Sequence, residues 1–386
     1  MSFARVAITG LGAYTCAGRS ASELWERTLR GDSGINGGVG RIDALVSGEE
    51  TRKTARTTFF AATAAREAMA EAGWSQFEKD DALVFATTTG RIPAWENPLV
   101  DHLRGQLTPE EFAVVFRSQP LGSALDALKE ELGFSGRTLL TSSACSAATQ
   151  ALAFGAMWIR QGRAKRVLVV GAEVLCNLTL AGFGSLQLLA PAGARPFDRD
   201  RQGINLSEGA GAICLEDADT AIRSALAELT GYGLTTDGYH MTSPHPEGRG
   251  SYRAMCRALT VAGLRPEEVS WVHAHGTGSK ANDSAEGAAL AHLFSEVAEA
   301  PYVTSTKRIH GHALGASGAI EAVLCVQAIR NGIVLPTAGL ENPDSTIAVR
   351  HASRPTKKEI RHVLKNTLGF GGTNASLVFS QAEDAR

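Results

Sequence analysis

The feature that most constrains this sequence is that it repeats itself at long range. ITGLG at 8–12 is echoed by LTGYG at 229–233. MAEAGW at 69–74 leads into VFATTTG at 84–90, and LTVAGL at 259–264 leads into VHAHGTG at 272–278 with nearly the same spacing. A third echo pairs SACSAATQ…IRQG (143–162) with HALGASGA…IRNG (312–332), and the IRQG-to-IRNG offset lays Cys145 on Gly315. One such match is chance composition, but three in the same order describe two copies of one plan. Short β-branched runs (6–9, 82–88, 166–171, 211–215, 269–274, 376–380) alternate with Ala-rich helical patterns (57–72, 146–161, 252–262, 284–298, 316–331). That alternation predicts an α/β fold with sheets between helix layers. The chain therefore divides into 1–217 and 218–386, with a joint near 217–225, and each half brings a strand-to-helix turn toward a shared cleft. The stretch 90–123, with Pro93, Pro98, Pro109 and Pro120, reads as an irregular insertion over the core.

Composition narrows the function classes. With 386 residues, 44% of them hydrophobic, the chain can bury a large core. The net charge of −2 is spread along the sequence, which disfavours nucleic acid as a partner. No apolar run reaches the roughly 18 residues of a membrane span, and MSFARVAITG enters a strand without a signal-peptide core. A cytoplasmic location is the expectation. The six cysteines are scattered without a CxxC pair, so neither a disulfide framework nor a zinc knuckle is expected.

Three segments carry residues capable of chemistry. In TSSACSAATQ a strand gives way to small residues and then a helix, which puts Cys145 at the helix start. Backbone N–H groups there favour a thiolate and can donate to an oxyanion. Two HxH pairs follow, His273/His275 and His310/His312. They suit either a metal site or one hydrogen-bond donor from each pair with the other histidine structural. Lys307 adds a positive charge to the second pair's segment. The glycine-rich LGFGGTN (368–374) runs into the strand-like ASLVFS. It is therefore a tight turn offering N–H groups, with Phe370 as its bulky member, and no phosphate loop.

TSSACSAA, HAHGTGSKANDSAE, STKRIHGHALGASGAIEA and NTLGFGGTN resemble, in order and spacing, the four signatures of elongating β-ketoacyl-ACP synthases. GARPFDRDRQGINLSEGAGAICLED and YHMTSP add to the likeness, which is thinnest at 90–135. The resemblance implies a thiolase fold, a five-layered αβαβα sandwich of two similar halves. The first half would carry the nucleophile Cys145, the second His275, Lys307, His312 and the gating loop. Cys145 would take the acyl chain from acyl carrier protein, and its N–H with that of Phe370 would form the oxyanion hole. His275 and His312 would stabilise the enolate left when malonyl loses carbon dioxide, with Lys307 and its carboxylate neighbour Glu321 holding the histidine network. Thr242, Thr277 and Ser279 would hold the phosphopantetheine arm, and Phe370 would gate the acyl pocket. Glu321 and Asn366 match positions lining a structural monovalent-cation site in some members. No catalytic metal or cofactor is implied.

Arg52 and Lys53 match the segment that docks the carrier protein. The implied assembly is a homodimer, or a heterodimer with a ketosynthase-like partner, and a non-catalytic chain-length-setting subunit is the alternative role. Ser279-Lys280 stands where Thr-Pro is usual, His273 where Asn is, and Leu368 where Phe is. The Cys-His-His set separates the chain from the initiating Cys-His-Asn class. Cys325, inside an apolar helix, gives no second thiolase cysteine.

Overall fold

The structure, a computed structural model, describes residues 4–42 and 56–382. The first half runs β1 (Val6–Thr15), α1 (Ala21–Arg30), α2 (Arg56–Ala72), β2 (Ala82–Ala86), α3 (Ile92–Leu103), α4 (Pro109–Phe116), α5 (Gly122–Leu132), β3 (Arg137–Thr141), α6 (Ala147–Arg160), β4 (Arg166–Glu173), α7 (Asn177–Ser185) and β5 (Gly209–Asp217). The second runs β6 (Ala227–Thr236), α8 (Arg249–Ala262), β7 (Trp271–His273), α9 (Lys280–Leu293), β8 (Tyr302–Thr304), α10 (Lys307–His310), α11 (Ser317–Asn331), β9 (Ile333–Val334), β10 (Thr356–Lys357), β11 (His362–Gly369) and β12 (Thr373–Ser380).

The halves share one topology. Strand order is β3-β2-β4-β5-β1 in the first and β8-β7-β11-β12-β6 in the second. In each, the first three strands are mutually parallel and the last two antiparallel. Among the described residues, strands of the two sets pair where β1 meets β6, at Ala7/Glu228 and Ile8/Ala227. Helices α6 and α11 lie together between the sets and touch strands of both, α2 and α5 cover the first outside, and α8 and α9 cover the second. Three large apolar cores fill the gaps between these layers. This is the five-layered thiolase sandwich.

The glycine echo has a steric cause. A Cβ on Gly10 or Gly12 would fall 2.0 or 1.9 Å from the carbonyl oxygens of Ala68 and Ala64 in α2. On Gly231 or Gly233 it would fall 2.2 or 2.0 Å from those of Ala258 and Ala254 in α8. In both halves an Ala-rich helix lies directly on a strand, closer than any side chain permits.

The stretch 90–123 is a correction to the sequence reading, because it holds α3, α4 and the start of α5. Pro93 and Pro109 sit in the first turn of their helices, where a missing N–H costs nothing. The prolines mark helix starts, and only Pro98 lies inside one. Helix α9 begins at Lys280, four residues earlier than its periodicity predicts. Lys280 takes the first helical position, the one place where lysine and proline are nearly interchangeable, since that N–H has no partner within the helix.

Candidate active site

β3 ends at Thr141 and the chain turns through Ser142–Cys145 before α6. Ala144 is held at φ 50°, and its counterpart in the second half, Leu314, at φ 41°. A left-handed non-glycine residue costs roughly 1–2 kcal/mol. Both copies of the turn carry that strain, and in the first copy it aims Cys145 into the cleft between the halves. The turn is cross-linked to the β11–β12 hairpin: the Thr373 hydroxyl donates to the Ser143 carbonyl at 3.1 Å, and the Ser146 hydroxyl donates to Thr373 Oγ1 at 2.9 Å. The hairpin's own turn, Phe370–Gly372, uses Gly371 and Gly372 at φ 79° and 72°. This brings the Phe370 N–H onto the Cys145 sulfur, where Cys145's own N–H also points.

The thiolate expected at the helix start is a correction. Cys145 lies two residues before α6, whose N-cap is Ser146. Burial pushes its thiol up to about 11, outweighing the Phe370 N–H, the Lys307 charge and its own N–H. At rest the sulfur is a thiol.

His275 and His312 close the site from the second half. Their rings meet edge to face with centroids 5.3 Å apart. One nitrogen of each, with Cys145 Sγ, forms a group in which every pair lies within 4.8 Å. His275 is fixed from behind. Its N–H and that of Gly276 donate to the buried Glu286 carboxylate at 2.7 and 2.8 Å. The Lys307 ammonium lies 3.4 Å from His275 Nδ1 and donates to the His275 carbonyl at 2.9 Å. An ammonium can only donate, so Nδ1 is the acceptor and Nε2 carries the proton. Burial and the Lys307 charge hold both imidazoles well below their ordinary range, and they are neutral at pH 7. A metal would need a bare nitrogen where His275 presents N–H, so the Cys-His-His cluster is poorly suited to bind one.

Each HxH pair is split. His273 and His310 are fully buried away from the cleft and share the Thr306 hydroxyl at 3.0 and 2.9 Å. Burial first, with nearby lysines, lowers them to about 3 and about 4. They are structural neutral imidazoles.

Lys307 pairs with one oxygen of Glu321, and Lys365 with the other at 2.7 Å. Burial alone would raise the Glu321 pKa, but Lys307 and Lys365 together hold it well below the carboxylate range. Asn366 is fully engaged: its amide donates to Glu286 at 2.8 Å and Ser251 at 2.9 Å, and its side-chain oxygen accepts from Ser376 at 2.8 Å. A monovalent cation shared by Glu321 and Asn366 does not fit these residues. Both Glu321 oxygens already carry ammoniums, and Asn366 supports Glu286 instead.

The cleft encloses about 210 Å³. Thr242, Thr277 and Ser279 line it, with the Thr277 and Ser279 hydroxyls 3.1 Å apart. Phe183, Leu186, Leu188 and Ile204 form an apolar wall, and Phe183 stacks on Phe370 with centroids 5.3 Å apart. Leu368 lines the same cleft. Arg52 and Lys53 lie outside the described residues. Sequence reasoning missed Glu286, Lys365 and Phe183. Glu286 follows the HAHGTG turn in a helix whose polar residues read as surface, and a lysine inside a strand gives no sign of burial.

The chain matches the N-terminal domain model of the β-ketoacyl synthases over residues 37–221 and the C-terminal domain model over 226–341. It is 34% identical to 3-oxoacyl-[acyl-carrier-protein] synthase 2 of Synechocystis, covering 98% of each chain. It is 35% identical to nodulation protein E of Rhizobium meliloti, covering 98% of this chain and 99% of the relative. Among solved structures, it resembles the ishigamide ketosynthase/chain length factor with a TM-score of 0.91 at 29% identity, over 99% of this chain and all of that one. A type II polyketide ketosynthase solved with its acyl-carrier protein and a hexaketide follows at 0.90 and 27%, again over 99% of this chain and all of that one. The chain belongs to the β-ketoacyl synthase family.

Proposed function

We propose that the chain is a β-ketoacyl-[acyl-carrier-protein] synthase in which Cys145 carries the acyl group and His275 and His312 drive decarboxylative condensation. The observation that carries this reading is the convergence of one thiol, two neutral imidazoles and two backbone N–H donors in one cleft. In the first half-reaction Cys145 Sγ attacks the acyl thioester carbonyl, and the N–H groups of Cys145 and Phe370 hold the oxyanion. The departing pantetheine thiolate takes up the proton that Cys145 gave, so one thiol is exchanged for another. In the second, malonyl thioester loses carbon dioxide and its electron pair becomes an enolate. Nε2–H of His275 meets that negative charge together with His312, whose Nδ1 is held 3.0 Å from the Ser317 hydroxyl. The enolate carbon attacks the Cys145 thioester, the same two N–H groups hold the second oxyanion, and collapse frees the β-ketoacyl product and the Cys145 thiolate, which takes up a proton from solvent to restore the thiol. Thr242, Thr277 and Ser279 suit the phosphopantetheine arm, and the Phe183–Phe370 stack closes the acyl end.

The substrate donor is acyl carrier protein. The resemblance to a ketosynthase/chain length factor and to a type II polyketide ketosynthase supports a polyketide or polyene role alongside fatty-acid elongation. A purely non-catalytic subunit is disfavoured by the complete Cys-His-His set. Mass spectrometry of the protein mixed with acyl carrier proteins of graded chain length tests the reading. It should find the acyl group on Cys145 and, after malonyl-ACP is added, a β-ketoacyl-ACP. Absence of acylation across the whole series would overturn it.

A further inference from the structure

Lys365 is a lysine in the middle of β11 with no exposed atom surface, placed beside the site and unused by the chemistry above. A buried ammonium is costly unless every donor is met. Here the Asn366 carbonyl at 3.1 Å and the Thr367 hydroxyl accept hydrogen bonds from it, and the Glu321 carboxylate supplies the counter-charge at 2.7 Å. Glu321 therefore sits between two ammoniums, with Lys307 on one oxygen and Lys365 on the other. Lys307 in turn is the group that fixes His275 from behind.

We infer that Lys365 is a covalently tethered counter-cation that does the work of a bound monovalent ion. It pins Glu321 on Lys307 and so holds His275 with its Nε2–H toward the reacting carbonyl. Lys365 touches neither substrate nor sulfur, so it is a positioning residue that acts through Glu321 and Lys307. The role rests on the proposed condensation chemistry, but the charge substitution itself does not. With Lys365 in place, the enzyme needs no sodium or potassium. Removing the ammonium and leaving its space creates a vacancy that a small cation can fill.

The test compares the full-length protein with Lys365→Ala, which opens a hole, and Lys365→Met, which fills it without charge. Melting temperature and malonyl-ACP decarboxylation are measured in sodium, potassium and choline chloride at equal ionic strength. The wild type should show no preference among the three salts in either measurement. Lys365→Ala should lose about 10–100-fold in decarboxylation in choline, the range for outer-shell partners. It should recover both activity and melting temperature in sodium or potassium. Lys365→Met should stay impaired in every salt, while acylation of Cys145 changes little.

A wild-type melting temperature that depends on sodium or potassium would overturn the inference, because an ion would then bind beside Lys365. So would Lys365→Met with wild-type decarboxylation, or Lys365→Ala impaired alike in all salts. If the wild type decarboxylates nothing, the function reading fails, and the melting temperatures alone still decide the cation question.

Discussion

At the residue scale, the two histidines and the cysteine are prepared for different steps. Cys145 is a buried thiol held up to about 11. The thiolate fraction then rises about tenfold per pH unit through the whole range below that value. Alkylation of Cys145 by iodoacetamide should accordingly climb log-linearly from pH 7 to 10, as followed by peptide mapping. A plateau by pH 8 would mean that the N–H donors and Lys307 outweigh burial after all. His312 meets charge that exists only after carbon dioxide has left, so its removal should separate the half-reactions. His312→Ala should lose on the order of 10²–10³ in malonyl decarboxylation, the loss typical of one oxyanion donor. Acylation of Cys145 should fall far less, and rapid quench resolves the two. Equal losses would assign His312 a structural role.

At the element scale, each strand that bears a paired glycine is paved by a helix backbone. Gly233→Ala would drive a methyl into the Ala254 carbonyl of α8, and Gly12→Ala would do the same against Ala64 of α2. Neither contact is with a flexible side-chain end, so α8 or α2 must shift. Each substitution should destabilise by about 1–3 kcal/mol, read as a lower urea midpoint with an unchanged slope. Midpoints equal to wild type would show that these helices are not seated as tightly as the geometry implies.

The same elements explain what was legible in the sequence. Helices α2, α6, α8 and α11 show in the Ala-rich pattern because their small faces press on strands. β6 was missed because its buried face, Ala227, Leu229, Gly231 and Gly233, is mostly too small to register, and β11 because polar residues share its buried faces. β11 reads His-Val-Leu-Lys-Asn-Thr-Leu-Gly, with Lys365, Asn366 and Thr367 all buried in polar contacts behind the site. Period-two alternation cannot register a strand whose inward residues are charged. The site residues were legible where chemistry demands one residue type, as at Cys145, His275, His312 and Lys307. Their supports, Glu286 and Lys365, were not, because a buried ion pair and a surface charge look alike in sequence.

At the scale of the whole molecule, the two sheet sets end differently. The outer edge of the second set, β8, is covered: the Val303 N–H donates to the Arg350 carbonyl at 2.7 Å, and Tyr302 bridges to Arg350. The equivalent edge in the first set, β3, pairs with β2 and with no other strand among the described residues. Its Thr138, Leu139 and Leu140 are half-buried. The same half exposes Leu103 on α3, Val114 on α4 and Leu178 on α7. An uncovered strand edge with apolar residues in its half is a surface that proteins rarely leave to water. Pairing β3 with β3 of a second copy would satisfy those backbone groups and continue the sheet across a two-fold axis. The chain should therefore run as a dimer in light scattering, with amides of 137–141 exchanging more slowly as concentration rises. A stable, active monomer would sink this proposal. A dimer in which those amides exchange freely would move the interface elsewhere. If the chain is monomeric alone but active once a second ketosynthase-like subunit is co-expressed, the edge is built for a different partner.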